Sequence, residues 1–169
     1  MKNLTDSIKL VENIDVTFDK FKSIPFLTDD VIYLVCINKV PFDAEKNFDP
    51  YYEFYICKEG EQIGGMRLRV GNSATLLYPG HIGYEIREEY RGQGYAVRAC
   101  ELLFEVAKMH QMSGILITND IDNSASKRVC EKLEMDLWGA FRVPKELEMY
   151  DPEHDTVNVY FKKLEKGEV

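Results

Sequence analysis

Basic residues are in the minority here. Lys and Arg number 21 against 29 Asp and Glu, a formal net charge of −8. A general nucleic-acid binder needs a basic face, so no nucleic-acid partner is expected. The acidic balance suits a cationic or amine partner, and it also serves solubility. Metal-binding spacing is missing as well. Cys36, Cys57, Cys100 and Cys130 form no CxxC pair, and His81, His110 and His154 are scattered, so no metal is expected. No apolar run nears the ~18 residues of a membrane span. The longest, Val31 to Ile37, has the length of a strand, and no membrane partner is expected. The opening residues, Met1 to Asp6, contain no apolar stretch of the kind that directs secretion. Each cysteine sits in an apolar-periodic segment, as buried reduced thiols do. Both features point to a cytoplasmic location. Internal repeats and low-complexity segments are absent too.

What is present reads as one domain over residues 1–169. A chain of that length buries roughly 70% of its unfolded surface and needs no disulfide or metal staple. Hydrophobic content of 45% excludes disorder. Near the start, Ser7 to Val11 reads as a strand. Ile14, Phe18 and Phe21 at i, i+4, i+7 read as a short amphipathic helix. Val31 to Ile37, apolar on both faces, reads as a buried strand. Pro41 to Pro50 is a polar loop. Tyr51–Cys57 and Gln62–Val70 alternate with period two around Lys58-Glu59-Gly60-Glu61, which predicts a hairpin. Arg67 and Arg69 alternate on its second strand and read as a solvated face. His81 to Ile86 is a further strand. There Ile82, Tyr84 and Ile86 share one face, and His81 and Glu85 the other.

Residues 96–109 switch to helical period, with Arg98, Glu101, Glu105 and Lys108 in a polar stripe opposite Ala96, Cys100, Leu103 and Ala107. Gly114 follows the helix end. Ile115–Thr118 is a short apolar strand, and Ser124–Leu133 a second helix with Asn123 at its N-cap position. Leu137–Val143 and Thr156–Phe161 close the chain as strands. The pattern is α/β, a mixed and mostly antiparallel sheet flanked by helices.

The stretch Ile82 to Ala96 runs from strand through a glycine-containing turn into the strongest helix. A helix N-terminus has backbone donors without partners and partial positive charge. Gly92 and Gly94 let a ligand approach the backbone, and Arg87 and Arg91 add full charge. A diphosphate suits such a turn. The same stretch also reads as a glycine-eased turn without a ligand. There is no GxxxxGK, and Val97 stands where a dinucleotide fingerprint needs its third glycine, so nucleotide-binding readings are weak.

Arg91-Gly92-Gln93-Gly94-Tyr95-Ala96 resembles the [RQ]-x-x-G-x-[GA] motif of the GNAT superfamily of acyl-CoA-dependent N-acetyltransferases. Asn123-Ser124-Ala125-Ser126-Lys127-Arg128-Val129-Cys130-Glu131-Lys132-Leu133 is similar to the family's N-x-x-S-x-x-[VL]-x-E-K-L segment, about 30 residues downstream. The resemblance covers residues 50–165. It implies the acyl-CoA N-acyltransferase fold, acetyl-CoA as co-substrate, and an acetyl group moved to a primary amine. The acceptor would be a small amine or a protein N-terminus, and homodimers are common in the family. The strand at 81–86 would splay from that at 115–118. The backbone of Tyr84, Glu85 and Ile86 would meet the pantetheine arm. Arg91, Gly92, Gln93, Gly94, Tyr95 and Ala96 would wrap the pyrophosphate, with Asn123 and Ser126 on the other side. Without ligand, those last two read as a helix cap and a small packing residue. Glu85 is the candidate general base, or an ordinary solvated carboxylate.

Two departures stand out. Cys130 occupies the position where many members carry a tyrosine acid, and it reads as a packing residue. Tyr84, Tyr95 or water would then supply the acid. Glu134-Met135 replaces the usual Gly-Phe, which puts the helix termination in question. The missing tyrosine also leaves a non-catalytic acyl-CoA-binding sensor as a rival. The acidic loop 144–155 reads as hydrated, or as a rim for a cationic acceptor.

Overall fold

Period-two alternation in the first half of the chain becomes strand pairing in the computed structural model, which describes residues 1–165. Strands β1 (Leu27–Thr28), β2 (Tyr33–Val40), β3 (Tyr51–Lys58), β4 (Glu61–Arg69) and β5 (Ile82–Ile86) form one antiparallel sheet in that order. The β3–β4 turn is Glu59-Gly60, with φ of 50° and 82°. Two positive φ values make the tight turn whose twist matches the strands it joins. A second antiparallel sheet has the order β6 (Gly114–Asp120), β8 (Thr156–Lys163), β7 (Asp136–Arg142). Among the described residues there are three α-helices, α1 (Leu4–Glu12), α2 (Tyr95–Met109) and α3 (Ser124–Lys132), and two short 3₁₀ turns.

Helix α2 covers one face of the larger sheet. It buries Ala99, Cys100, Leu103, Phe104, Val106 and Ala107 in a cluster with Tyr52, Phe54, Ile56, Met66 and Leu68. Each large apolar side chain buried this way stabilises by about 1.5–3 kcal/mol. A second cluster joins Val11, Leu77, Leu116, Trp138 and Val159 beneath α1.

The splay expected after residue 81 takes the form of a break between sheets. No ladder joins β5 to β6. They meet at the start of β5, where His81 N–H donates to the Leu116 carbonyl at 2.8 Å. Leu116 N–H donates back to His81 Nδ1 at 2.9 Å, and Nε2 lies 2.9 Å from the Gly71 carbonyl. Nδ1 accepts, so Nε2 carries the proton. The ring is fully buried, and burial pushes its pKa down to about 4, so it is neutral. His81 pins three segments at the point where the sheets part.

Both later helices end in Schellman geometry. In α2, Met112 N–H reaches the Ala107 carbonyl (3.2 Å) and Gln111 N–H that of Lys108 (3.0 Å), with Gln111 at φ 55°. In α3, Met135 N–H reaches the Cys130 carbonyl (3.0 Å) and Glu134 N–H that of Glu131 (3.0 Å), with Glu134 at φ 57°. Termination survives the loss of glycine, at the cost of a left-handed glutamate. Gly114 opens β6, where a Cβ would collide with the Phe161 ring.

The N-terminal expectations need correction. Residues 7–11 belong to helix α1, because Asn3 caps it: its Oδ1 accepts from Asp6 N–H at 2.8 Å. No helix forms through Ile14, Phe18 and Phe21. Their backbone is held by distant partners instead. Thr17 N–H donates to the His110 carbonyl (2.7 Å), and Lys22 N–H donates to the Tyr52 hydroxyl (2.8 Å). Phe18 packs edge-on against Phe21, 5.0 Å between centroids. The strand read as buried on both faces has one open face. Val35 and Ile37 stay 40% and 45% exposed, because α2 covers only the other side of the sheet.

Candidate active site

After β5 a single 3₁₀ turn (Glu88–Tyr90) leads into Arg91 and the glycine turn. Gly92 and Gly94 have φ of 76° and 83°, and Gly94 is the residue from which α2 springs. L-residues disfavour that conformation. A Cβ at either glycine would meet nothing within 4 Å, so their bareness leaves open space. No side chain caps the first turn of α2. By contrast Asn123 caps α3, its Oδ1 accepting from Ser126 N–H at 3.1 Å.

That uncapped turn lies at one end of a cleft of about 710 Å³ between β5 and α3. The volume lies in the range of small-molecule sites. Tyr84, Glu85 and Ile86 line one wall, and Asn123 and Ser126 the other. Arg91, Gly92, Gly94, Tyr95 and Ala96 close the end. Gln93 does not line it. Its amide donates to the Glu89 carbonyl and its oxygen accepts from the Tyr95 hydroxyl, both at 3.4 Å. Sequence reasoning missed Arg128 and Lys132, two cleft-lining cations at i, i+4 on α3. Their spacing was legible in the second motif.

Arg91 is held as well as charged. Its Nε donates to the Ile86 carbonyl at 2.8 Å, and its Nη2 stands 4.0 Å from Glu85 Oε1. Tyr84 points its hydroxyl to Ser126 Oγ at 3.0 Å. Burial pushes the Tyr84 phenol well above its usual range, outweighing the Ser126 bond, so it stays protonated. Cys130 is fully buried and does not line the cleft. Burial, and then the nearby charge of Glu131, drive its thiol up to about 12 against the smaller opposing effect of Asn119, which donates to Sγ at 3.7 Å.

Glu85 faces a second cleft too, of about 510 Å³, on the open side of the larger sheet. Arg67, Arg69 and Arg87 line it, with Glu53, Gly65 and Gly83. Arg69 is half-buried, so the solvated-face reading fails for it. The acidic loop 144–155 lines neither cleft. Its Glu148 pairs with Lys46 (3.4 Å) and its His154 with Asp120 (3.1 Å), so it forms no rim here.

The sequence profile described as "Acetyltransferase (GNAT) domain" matches residues 22–136, more than half of the chain. The chain belongs to the GNAT acetyltransferase family. Residues 22–136 therefore form an acetyltransferase domain of that family. No curated protein sequence matches it significantly. Solved structures share the GNAT fold at low identity. The ribosomal L7/L12 α-N-protein acetyltransferase RimL, in complex with coenzyme A, superposes with TM-score 0.61 at 14% identity, covering 83% of this chain and 98% of its own. The Salmonella typhimurium enzyme that modifies the N-terminal serine of L7/L12 gives 0.55 at 20%, covering 72% and 67%. The microcin C7 self-immunity acetyltransferase MccE, with acetyl-CoA and AMP, gives 0.53 at 20%, covering 71% and 62%. Among the described residues, no helix of this GNAT protein is long and apolar enough to cross a membrane. Among those same described residues, no group of three or more His, Cys, Asp or Glu is placed to hold a metal ion.

Proposed function

We propose that this chain works as one cytoplasmic N-acetyltransferase domain, with acetyl-CoA in the β5–α3 cleft and a primary amine entering from the sheet's open side. The observation that carries this is the position of β5. Tyr84 and Glu85 belong to both clefts, so the strand stands between the two. When bound, acetyl-CoA supplies a thioester whose C–S bond breaks as the C–N bond to the amine forms, releasing the CoA thiol. The residues present fit it. The uncapped first turn of α2 and the open space over Gly92 and Gly94 suit a pyrophosphate. Arg91, Arg128 and Lys132 add charge for the phosphates.

Glu85 takes the proton that the attacking amine must lose, directly or through one water. Its side chain is 87% exposed and free to turn toward an acceptor. Tyr84, a protonated phenol on the adjacent residue, is the donor for the leaving sulfur. Cys130 takes no part, being sealed in the core. The acceptor is a small amine or a protein N-terminus, the second being the kind of substrate that RimL's name gives.

A thiol-release assay with acetyl-CoA and a panel of amines tests this reading. Amine-dependent CoA release is the expected result. Tight acetyl-CoA binding without release on any amine would instead leave the chain a sensor.

A further inference from the structure

The cleft on the open face of the larger sheet has a charge pattern that the cofactor does not explain. Strand alternation puts Tyr51, Glu53 and Tyr55 of β3 on this face, with Gly65, Arg67 and Arg69 of β4 and Gly83 and Glu85 of β5. Across the strands Glu53, Arg67 and Gly83 lie in one row, and Tyr55, Gly65 and Glu85 in the next. Two of those six positions are glycine, so the sheet is bare beside Glu85. Arg69 leans over that bare floor. Its Nη1 lies 4.0 Å from where a β-carbon on Gly83 would stand.

The arginines differ in how they are satisfied. Arg67 is matched by Glu53 at 3.6 Å and stacks on the Tyr51 ring at 4.1 Å. Arg69 and Arg87 have no carboxylate within 4.0 Å among the described residues. Asp49, whose charge reaches Arg69, is engaged by the Ser73 hydroxyl at 2.9 Å instead. Arg69 spends one donor on the Gly80 carbonyl, at 3.3 Å. Burial first, and then the like charge of Arg67, pull its pKa down to about 10. A half-buried cation that no carboxylate contacts directly is costly, and an incoming anion relieves that cost. A guanidinium fork also matches a carboxylate in two-point geometry. In a chain of net charge −8, the cleft beside the candidate base is a cationic exception.

We propose that the acceptor is an amine bearing a carboxylate a few bonds from its nitrogen, with Arg69 gripping the carboxylate, Arg87 at the rim, and Glu85 meeting the amine. Gly83 and Glu85 are two residues apart on one strand face, about 7 Å along the strand, so the flexible Arg69 and Glu85 side chains both reach one small acceptor. This inference rests on the acetyltransferase reading above. Free amino acids and peptides with an acidic residue near the N-terminus both carry this chemistry.

The test compares pairs of acceptors that differ only in the carboxylate: an amino acid against its amide, and an acidic-start peptide against its amide-substituted form. The readout is kcat/KM by CoA release. In wild type the acid is expected to outrun its amide about tenfold or more in at least one pair, and the pair that does so names the source. Arg69→Met is expected to bring that ratio near one. Arg87→Ala, at an exposed position, is expected to lower it by a smaller factor with the fold intact. Calorimetric binding of the N-acetylated acid provides a second readout, which Arg69→Met should weaken. Equal use of acid and amide, preference for a cationic acceptor, or no binding of any acetylated acid would overturn the proposal. Acetyl-CoA affinity is measured separately, and its loss would speak against the cofactor reading and not against this one.

Discussion

Glu85 owes its candidacy to position, because nothing buries its carboxylate. A general base of this type contributes roughly 10²–10⁴-fold to rate. Glu85→Gln is therefore expected to lower kcat by about 100-fold while acetyl-CoA affinity changes little, and to remove the acidic limb of the pH–rate profile. An unaltered profile would remove Glu85 from the role. His81 acts on stability. Its folded pKa of about 4 lies below the ordinary value of 6.5, so the unfolded chain takes up a proton first on acidification. Stability is full above pH 6.5 and falls as pH drops toward 4, by on the order of 3 kcal/mol from this ring. Thermal midpoints measured from pH 7 to 4 should fall accordingly, and His81→Gln should flatten that dependence while lowering the midpoint at pH 7. Glu134 is the third residue with a definite expectation. At φ 57° it bears a left-handed penalty of about 1–2 kcal/mol, partly offset by the entropy that a glycine adds to the unfolded chain. Glu134→Gly is expected to stabilise by about 0.5–1 kcal/mol, visible as a higher thermal midpoint.

At the scale of elements, the difference between the two helix N-termini is informative. Asn123→Ala removes a cap from α3 and is expected to destabilise by about 1 kcal/mol. It should also loosen Ser126, whose hydroxyl holds Tyr84. The start of α2 has no such cap to lose. Much of this was legible in the sequence. Helix α2, the hairpin and the α3 cap are written in local period and local side chains, so a linear reading finds them. Other features depend on distant partners. Residues 14–22 carry helical spacing but are taken by His110 and Tyr52, a long way along the chain. Val35 and Ile37 are apolar like buried residues, yet face the side that no helix covers. Gln93 sits between two cleft glycines, and only the turn's geometry shows that it leans away. Arg69 reads as solvated from its alternation alone, and only the folded sheet shows it half-buried.

Over the whole molecule, an acidic total conceals two cationic clefts on either side of one strand. Arg91, Arg128 and Lys132 gather on the α3 side, and Arg67, Arg69 and Arg87 on the open face. The acidic loop 144–155 stands apart from both. Such an arrangement favours anionic ligands at two places, and its pull weakens with salt where the charges are exposed. The break between sheets, pinned by His81, leaves β5 without a ladder partner on the α3 side. Calorimetric titration of acetyl-CoA into wild type and Gly94→Trp bears most directly on that architecture. The tryptophan would fill the open space at the foot of α2. Saturable binding in wild type, weakened roughly 100-fold or more in a variant that still unfolds cooperatively, is the expected result. Equal affinity in the two proteins would contradict the placement of acetyl-CoA between β5 and α3.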